Sequence, residues 1–405
     1  MDYYRQKRVE RLQKYIGEQG LDAMLITSKD AVFYLSGASY DPVERPFIII
    51  LRPEGVPSLV VPRLEYEHMM KVEGFGEIHW YFEYPSIDGQ NWYDYVNKDI
   101  GKGAVIGIEP SMPSVYRECL KAKKTVIVDY IDTMRLVKDA SEINAIRLAC
   151  KWTDYGMKML HEGLYRGESV IEATMHARNI QTGVVKTTDF NYMTSSFLTA
   201  AWPAPKSAQP HSLPDLGSRM GDGPIVLMSF NRVNGYASEN ERTVFLGEPS
   251  DRDRRLFDQM MKAREIALSM VKPGTRCADI DLATQDYFKS LGYEDAIRHR
   301  TGHGIGLGNH EAPFLSAGGD HVLEENMVIS IEPALYFDDI GGFRHSDTVL
   351  VTKTGYEIMT HYPEVHQHQI VSEKPKSNAR RQTGPVVRLP GLPLFSCLWP
   401  ASVIL

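Results

Sequence analysis

Cysteine is scarce in this chain. Cys119, Cys150, Cys277 and Cys397 are the only four in 405 residues, and none stands in CxxC spacing. That excludes a zinc ribbon, offers no disulfide framework, and suits a reducing, cytoplasmic compartment. Uninterrupted apolar runs of membrane-spanning length are missing too. The apolar C-terminal stretch is broken by Pro390, Pro393 and Pro400, so no transmembrane helix is expected. The N-terminus M-D-Y-Y-R-Q-K-R-V-E lacks the apolar core of a signal peptide. Positive charge is not in excess: 45 Lys and Arg stand against 52 Asp and Glu, a net charge of −7. No basic face for nucleic acid or an anionic membrane is expected. No G-x-G-x-x-G follows an apolar run, so a dinucleotide site has no support.

What is present is ordinary globular material, 43% hydrophobic and 24% charged, in a chain long enough for two cores. Val9, Leu12 and Ile16 recur at helical spacing before Gly20, and the apolar run D-A-M-L-I-T follows as a buried strand. Further short apolar runs at 46–51, 58–61 and 104–108 predict an α/β domain over residues 1–135. A second domain is expected over 136–370. It opens with a helix capped by Asp139 or Ser141, whose apolar face carries Ile143, Ile146 and Ala149. A helix near 170–182, a Pro/Gly-rich loop over 199–223, a hairpin over 225–246, and helices at 251–271 and 277–290 follow. Residues 371–405, first basic and then Pro-broken, are expected to be a disordered extension.

Four blocks carry the chemistry. The first is V-L-M-S-F-N-R-V-N-G-Y-A-S-E-N-E-R-T-V-F-L, the second R-T-G-H-G-I-G-L-G-N-H-E from Arg300. The third is I-S-I-E-P with Glu332, the fourth G-F-R-H-S-D-T-V-L-V with Arg344, His345, Ser346 and Asp347. Glu239 and Glu241 alternate along one strand and so point to one face. His303 lies between glycines, which let the backbone approach a neighbour or ligand closely. Glu332 ends an apolar strand, where a carboxylate needs a partner. Without context, a lone His211 reads as a loop residue, Arg45 as a surface arginine, and Glu332 as half of an ion pair with Arg344.

In this order the blocks resemble the pita-bread family of aminopeptidase P, prolidase, methionine aminopeptidase and creatinase, over roughly residues 1–365. The resemblance implies an α/β N-terminal domain, an α+β pita-bread catalytic domain and a homodimer. It also implies a ligand set of two Asp, one His and two Glu for two divalent ions. Aligned to it, the first Asp position is read as Ser229 with a connection one residue short. The second is Glu239, His303 and Glu332 are kept, and the last Glu is Ser346. Hard ions need anionic oxygens, so a two-ion site is not expected.

The pattern is therefore read as closer to creatinase, which keeps this fold without metal. On that reading His211, Glu241 and Glu332 are catalytic, and Arg45, His303, His310 and Arg344 bind substrate. The chain is then expected to hydrolyse a C–N bond of a small amidine or amide by His/Glu chemistry, with no cofactor. The alternative is an Xaa-Pro dipeptidase or aminopeptidase P-like enzyme, acting on a dipeptide with one manganese-like ion on Glu239, His303 and Glu332. A third reading is a non-catalytic peptide binder.

Overall fold

The computed structural model describes residues 2–40, 43–362 and 370–371. Six strands make the N-terminal sheet: β1 (Ala23–Ile26), β2 (Ile48–Leu51), β3 (Ser58–Pro62), β4 (Ile78–Tyr81), β5 (Val105–Ile108) and β6 (Lys124–Ile127). Their order is β4-β3-β2-β1-β5-β6. The β1–β2 and β2–β3 pairs are antiparallel; β3–β4, β1–β5 and β5–β6 are parallel. β1 and β2 are buried at every position, as strands covered on both faces must be. The first helix, Tyr3–Glu18, is capped by Asp2 and buries Val9, Leu12 and Ile16, the stripe its spacing predicts.

The second half is built on a larger sheet. Its strands are β7 (Ser196–Trp202), β8 (Ile225–Val233), β9 (Tyr236–Leu246), β10 (Gly302–Gly304), β11 (Glu311–Leu315) and β12 (Val328–Ile331). The chain continues through β13 (Ala334–Phe337), β14 (Gly341–Arg344), β15 (Ser346–Val351), β16 (Tyr356–Ile358) and β17 (Ile370–Val371). Nine of these form one sheet, ordered β11-β10-β12-β15-β9-β8-β7, with β16 beside β15 and β17 beside β9; β13 and β14 form a separate hairpin. Helix Ala140–Gly163 starts with a capping box between Asp139 and Glu142. Its buried Ile146, Ala149, Thr153 and Gly156 face β8 and β9. Helices Asp251–Met270 and Cys277–Ser290 pack on each other further along.

Three boundaries differ from expectation. The helix near 170–182 is two, Val170–Thr174 and His176–Thr187. Residues 199–202 belong to β7, so the loop carrying His211 begins at Pro203. The extension expected from residue 371 lies outside the described residues except for Val371, which pairs with Leu246.

Candidate active site

The site is set by one hairpin. Asn234 and Gly235 both have positive φ (50° and 97°), the two-residue turn that Asn-Gly favours because it matches strand twist. It fixes the register from Val233↔Tyr236 back to Phe230↔Glu239 and Met228↔Glu241. Side chains alternate, so Met228, Phe230, Glu239 and Glu241 share one face. Ser229, Asn231, Ser238 and Asn240 share the other, against helix Ala140–Gly163. There Thr153 Oγ1 lies 2.6 Å from Ser238 Oγ, and Asn240 Nδ2 donates to Asp154 Oδ1 at 2.9 Å. Ser229 is therefore not the first ligand position. The hairpin has no missing residue, and Met228 stands where that ligand is expected.

His303 enters from β10. A side chain at Gly302 would put its Cβ 2.0 Å from the Ser330 carbonyl oxygen, and one at Gly304 2.2 Å from that of Ala312. The flanking glycines are thus required by strand packing. His303 Nδ1 donates to its neighbour's carbonyl, Gly304 O, at 3.0 Å. Nε2 is buried without a hydrogen-bond partner and stands 3.3 Å from Glu332 Oε1 and 3.6 Å from Glu239 Oε2. Burial alone lowers His303, but the two carboxylates push it up to about 9. Burial raises Glu239, while Glu332, although buried, is pulled down to about 2 by His303. The three groups are arranged to share a cation.

Glu239 is one methylene longer than the expected Asp, and the structure takes up that length. Its Oε1 accepts from Ser330 Oγ at 2.6 Å and from Ser346 Oγ, leaving Oε2 toward His303. Ser346 stands as a hydroxyl where a carboxylate would project, and the longer Glu239 fills the space. Met228 and Ser346 offer a hard ion nothing anionic. Glu239 anchors two candidate ligand groups for a divalent ion, one with His303 and His310 and one with Glu241 and Glu332. Donors around an ion at about 2.1 Å in tetrahedral geometry stand roughly 3.4 Å apart, the spacing that His303 and its carboxylates already have.

Around this centre, His310 stacks on His303 with ring centroids 3.9 Å apart, and Phe230 faces it at 6.3 Å. Burial and the charge on His303 push His310 down to about 4, so it is neutral at pH 7. Arg344 is buried at the end of β14, with Nε 2.6 Å from Glu241 Oε2. The ion pair expected between Glu332 and Arg344 is thus made by Glu241 instead. His211 is exposed on the rim loop, close enough to His299 and His310 to influence both. Arg45 lies in the N-terminal domain, its guanidinium bound to both oxygens of Glu83 at 2.8 and 3.0 Å. None of its hydrogen-bond or ion-pair partners among the described residues belongs to the site. Sequence reasoning missed Met228, Ser330, Tyr336 and His299. The Asn-Gly turn was the signal for Met228. Tyr336 and His299, whose Oη and Nε2 are 2.8 Å apart, carried none.

The sheet, the capped helices and the Glu/His centre define a metallopeptidase-type scaffold. The chain belongs to Metallopeptidase family M24, matched over residues 144–353, and carries a Creatinase/Prolidase N-terminal domain over residues 8–140. It is a hydrolase acting on C–N bonds. An Xaa-Pro dipeptidase of Pyrococcus furiosus is 30% identical over 362 residues, covering 87% of this chain and 97% of that protein. An Xaa-Pro dipeptidase of Lactobacillus delbrueckii subsp. lactis is 29% identical over 370 residues, 87% of this chain and 96% of that one. The prolidase structure from Pyrococcus horikoshii matches with a TM-score of 0.76 and 27% identity, covering 90% of this chain and all of that one. These relatives overturn the creatinase-type reading. Similarity runs to Xaa-Pro dipeptidases over nearly the whole chain, the matching family is one of metallopeptidases, and a cofactor-free centre loses its support.

Proposed function

We propose that this chain is a metallopeptidase of the Xaa-Pro class with one divalent, manganese-like ion held by Glu239, His303 and Glu332. The observation that carries the reading is His303 Nε2, buried, without a hydrogen-bond partner and turned toward two carboxylate oxygens. The two carboxylates draw positive charge to this nitrogen, a proton in the free protein, and a divalent ion would take that proton's place. Bound there, a divalent ion supplies Lewis acidity toward a scissile carbonyl. Glu332, open to the pocket on one side, would take the proton of the attacking water and pass it to the leaving nitrogen as the C–N bond breaks. Neutral His310 hydrogen-bonds the substrate beside the reacting carbon, and Phe230 and Met228 give the wall an apolar surface for a proline ring. His211 meets the substrate at the rim.

The chain is further proposed to work as a homodimer in the cytoplasm. Cys119, Cys150 and Cys277 are all free thiols, which suits a reducing compartment. No described helix is long and apolar enough to cross a membrane.

Protein dialysed against manganese and desalted is expected to retain close to one ion per chain, and Glu239→Ala close to none. An Xaa-Pro dipeptide or peptide should be hydrolysed, and a chelator should stop it. Absence of both the ion and the hydrolysis sinks the proposal.

A further inference from the structure

The environment of Arg344 bears on which Xaa-Pro substrate the site accepts. Its Nε lies 2.6 Å from Glu241, and its Nη1 donates to the Tyr336 hydroxyl at 3.1 Å and to the Pro210 carbonyl at 3.2 Å. Tyr336 is held in turn by His299. Both Glu241 and Arg344 are buried, at 4% and 5% exposure. The 2.6 Å separation makes a close, buried ion pair, although neither Arg344 Nε nor Glu241 Oε2 has a hydrogen-bond partner. The other buried arginines near the site, Arg242 and Arg264, are engaged by Asp347 on the opposite face of the sheet. Arg344 is therefore the buried arginine of this face among the described residues, and Glu241 pairs with it.

The charge count follows from these contacts. Glu239, Glu241 and Glu332 have carboxylate oxygens within 4.8 Å of one another. Three carboxylates, one guanidinium and one divalent ion make a neutral centre. A dipeptide's free carboxylate lies about one residue length, roughly 3.8 Å, beyond the scissile bond. Here it would meet a guanidinium already paired, with the like charge of Glu241 beside it, and like-charge juxtaposition discriminates strongly in a desolvated pocket.

We propose that Glu241 makes this site select peptides whose residue after the scissile bond is amidated or followed by further residues, over dipeptides ending in a free carboxylate. The proposal rests on the Xaa-Pro reading of the site and narrows it to an aminopeptidase-type preference.

The test compares Leu-Pro with Leu-Pro-amide on the manganese-loaded protein, in wild type and Glu241→Gln. Wild type is expected to favour the amide at least tenfold in kcat/KM, and Glu241→Gln to lose or invert that ratio. A wild-type preference for the free acid overturns the proposal, as does a ratio unchanged by Glu241→Gln. Binding provides a readout independent of turnover: prolinamide should raise the melting temperature of the loaded protein more than proline, and Glu241→Gln should reverse the order. Equal or absent shifts overturn the proposal. The metal stoichiometry and the bare presence of turnover on either substrate judge the Xaa-Pro reading separately. Glu241→Thr serves as second variant if Glu241→Gln does not fold, since threonine leaves less buried polar surface unpaired.

Discussion

Asp347 shows how much of this site is support. It is 1% exposed. Its Oδ1 accepts from Arg242 Nη2 at 2.8 Å and from Thr360 Oγ1 at 2.9 Å, and its Oδ2 receives Arg264. Burial opposes its ionisation, but the two guanidinium groups hold its pKa well below the usual carboxylate range. The cluster lies behind Ser346, so it fixes the strand that supports Glu239 without touching the pocket. Removing one partner of such a set leaves buried charges uncompensated, at a cost of about 3–5 kcal/mol. Asp347→Asn should lose stability of that order in urea unfolding. By contrast, Ser346→Ala removes one hydroxyl from Glu239 Oε1 and should cost only about 1 kcal/mol. Residue types announced part of this: His303, Glu332 and Arg344 were all legible as important. Which carboxylate answers which arginine was not, because Glu241 and Arg344 meet across about a hundred residues of chain through strand register, which motif spacing does not encode.

At the scale of elements, the hairpin of β8 and β9 decides what the pocket contains. Gly235, at φ 97°, lets the turn close. A Cβ there would also lie 2.4 Å from Phe33 of helix Lys29–Ser36 in the N-terminal domain. Gly235→Ala should therefore cost about 1–3 kcal/mol from backbone strain, with a lower urea midpoint as the measure. An alanine variant as stable as wild type would mean that the turn does not pin the register. The same turn explains a misreading. Placing Ser229 at the first ligand position required a hairpin one residue short, yet Asn-Gly with period-two alternation leaves no such gap, and a one-residue slip moves every side chain to the other face. The elements themselves were largely legible, since capping boxes and apolar stripes are local: the helices at 3–18, 140–163, 251–270 and 277–290 follow their patterns. The split of the helix near 170–182 and the extension of β7 to Trp202 were not, because tertiary contacts override weak local signals there.

For the whole molecule, one link between the two halves of the chain runs through Glu311, the residue after His310. Glu311 accepts from Lys138 Nζ at 2.9 Å, from Arg135 Nη2 at 2.6 Å and from the Gly308 backbone at 2.8 Å. Arg135 also reaches Asp30 in the N-terminal domain at 3.7 Å, and Arg232 of β8 meets the same carboxylate at 3.6 Å. Burial alone raises Glu311, but Lys138 and Arg135 bring its pKa below the usual glutamate value. A carboxyl whose folded pKa is depressed contributes stability above its unfolded pKa and loses it as pH falls through the folded one. Unfolding free energy should therefore hold between about pH 7 and pH 5 and decline below about pH 4.5, near the free glutamate pKa. Glu311→Gln should flatten part of that acid decline and lower stability at pH 7 by about 3 kcal/mol, because Lys138 and Arg135 stay buried without their anion. Chemical denaturation from pH 3 to 8 checks both. Metal adds a second linkage with the same sign of pH dependence, since its carboxylate ligands must be ionised. At an ion concentration about a hundred times Kd the gain is about 2.7 kcal/mol. The two effects separate by variant: in Glu239→Ala the stabilisation by manganese should vanish while the acid decline set by Glu311 remains. Loss of both together in that variant would mean that the metal centre and the interdomain network act as one cooperative unit.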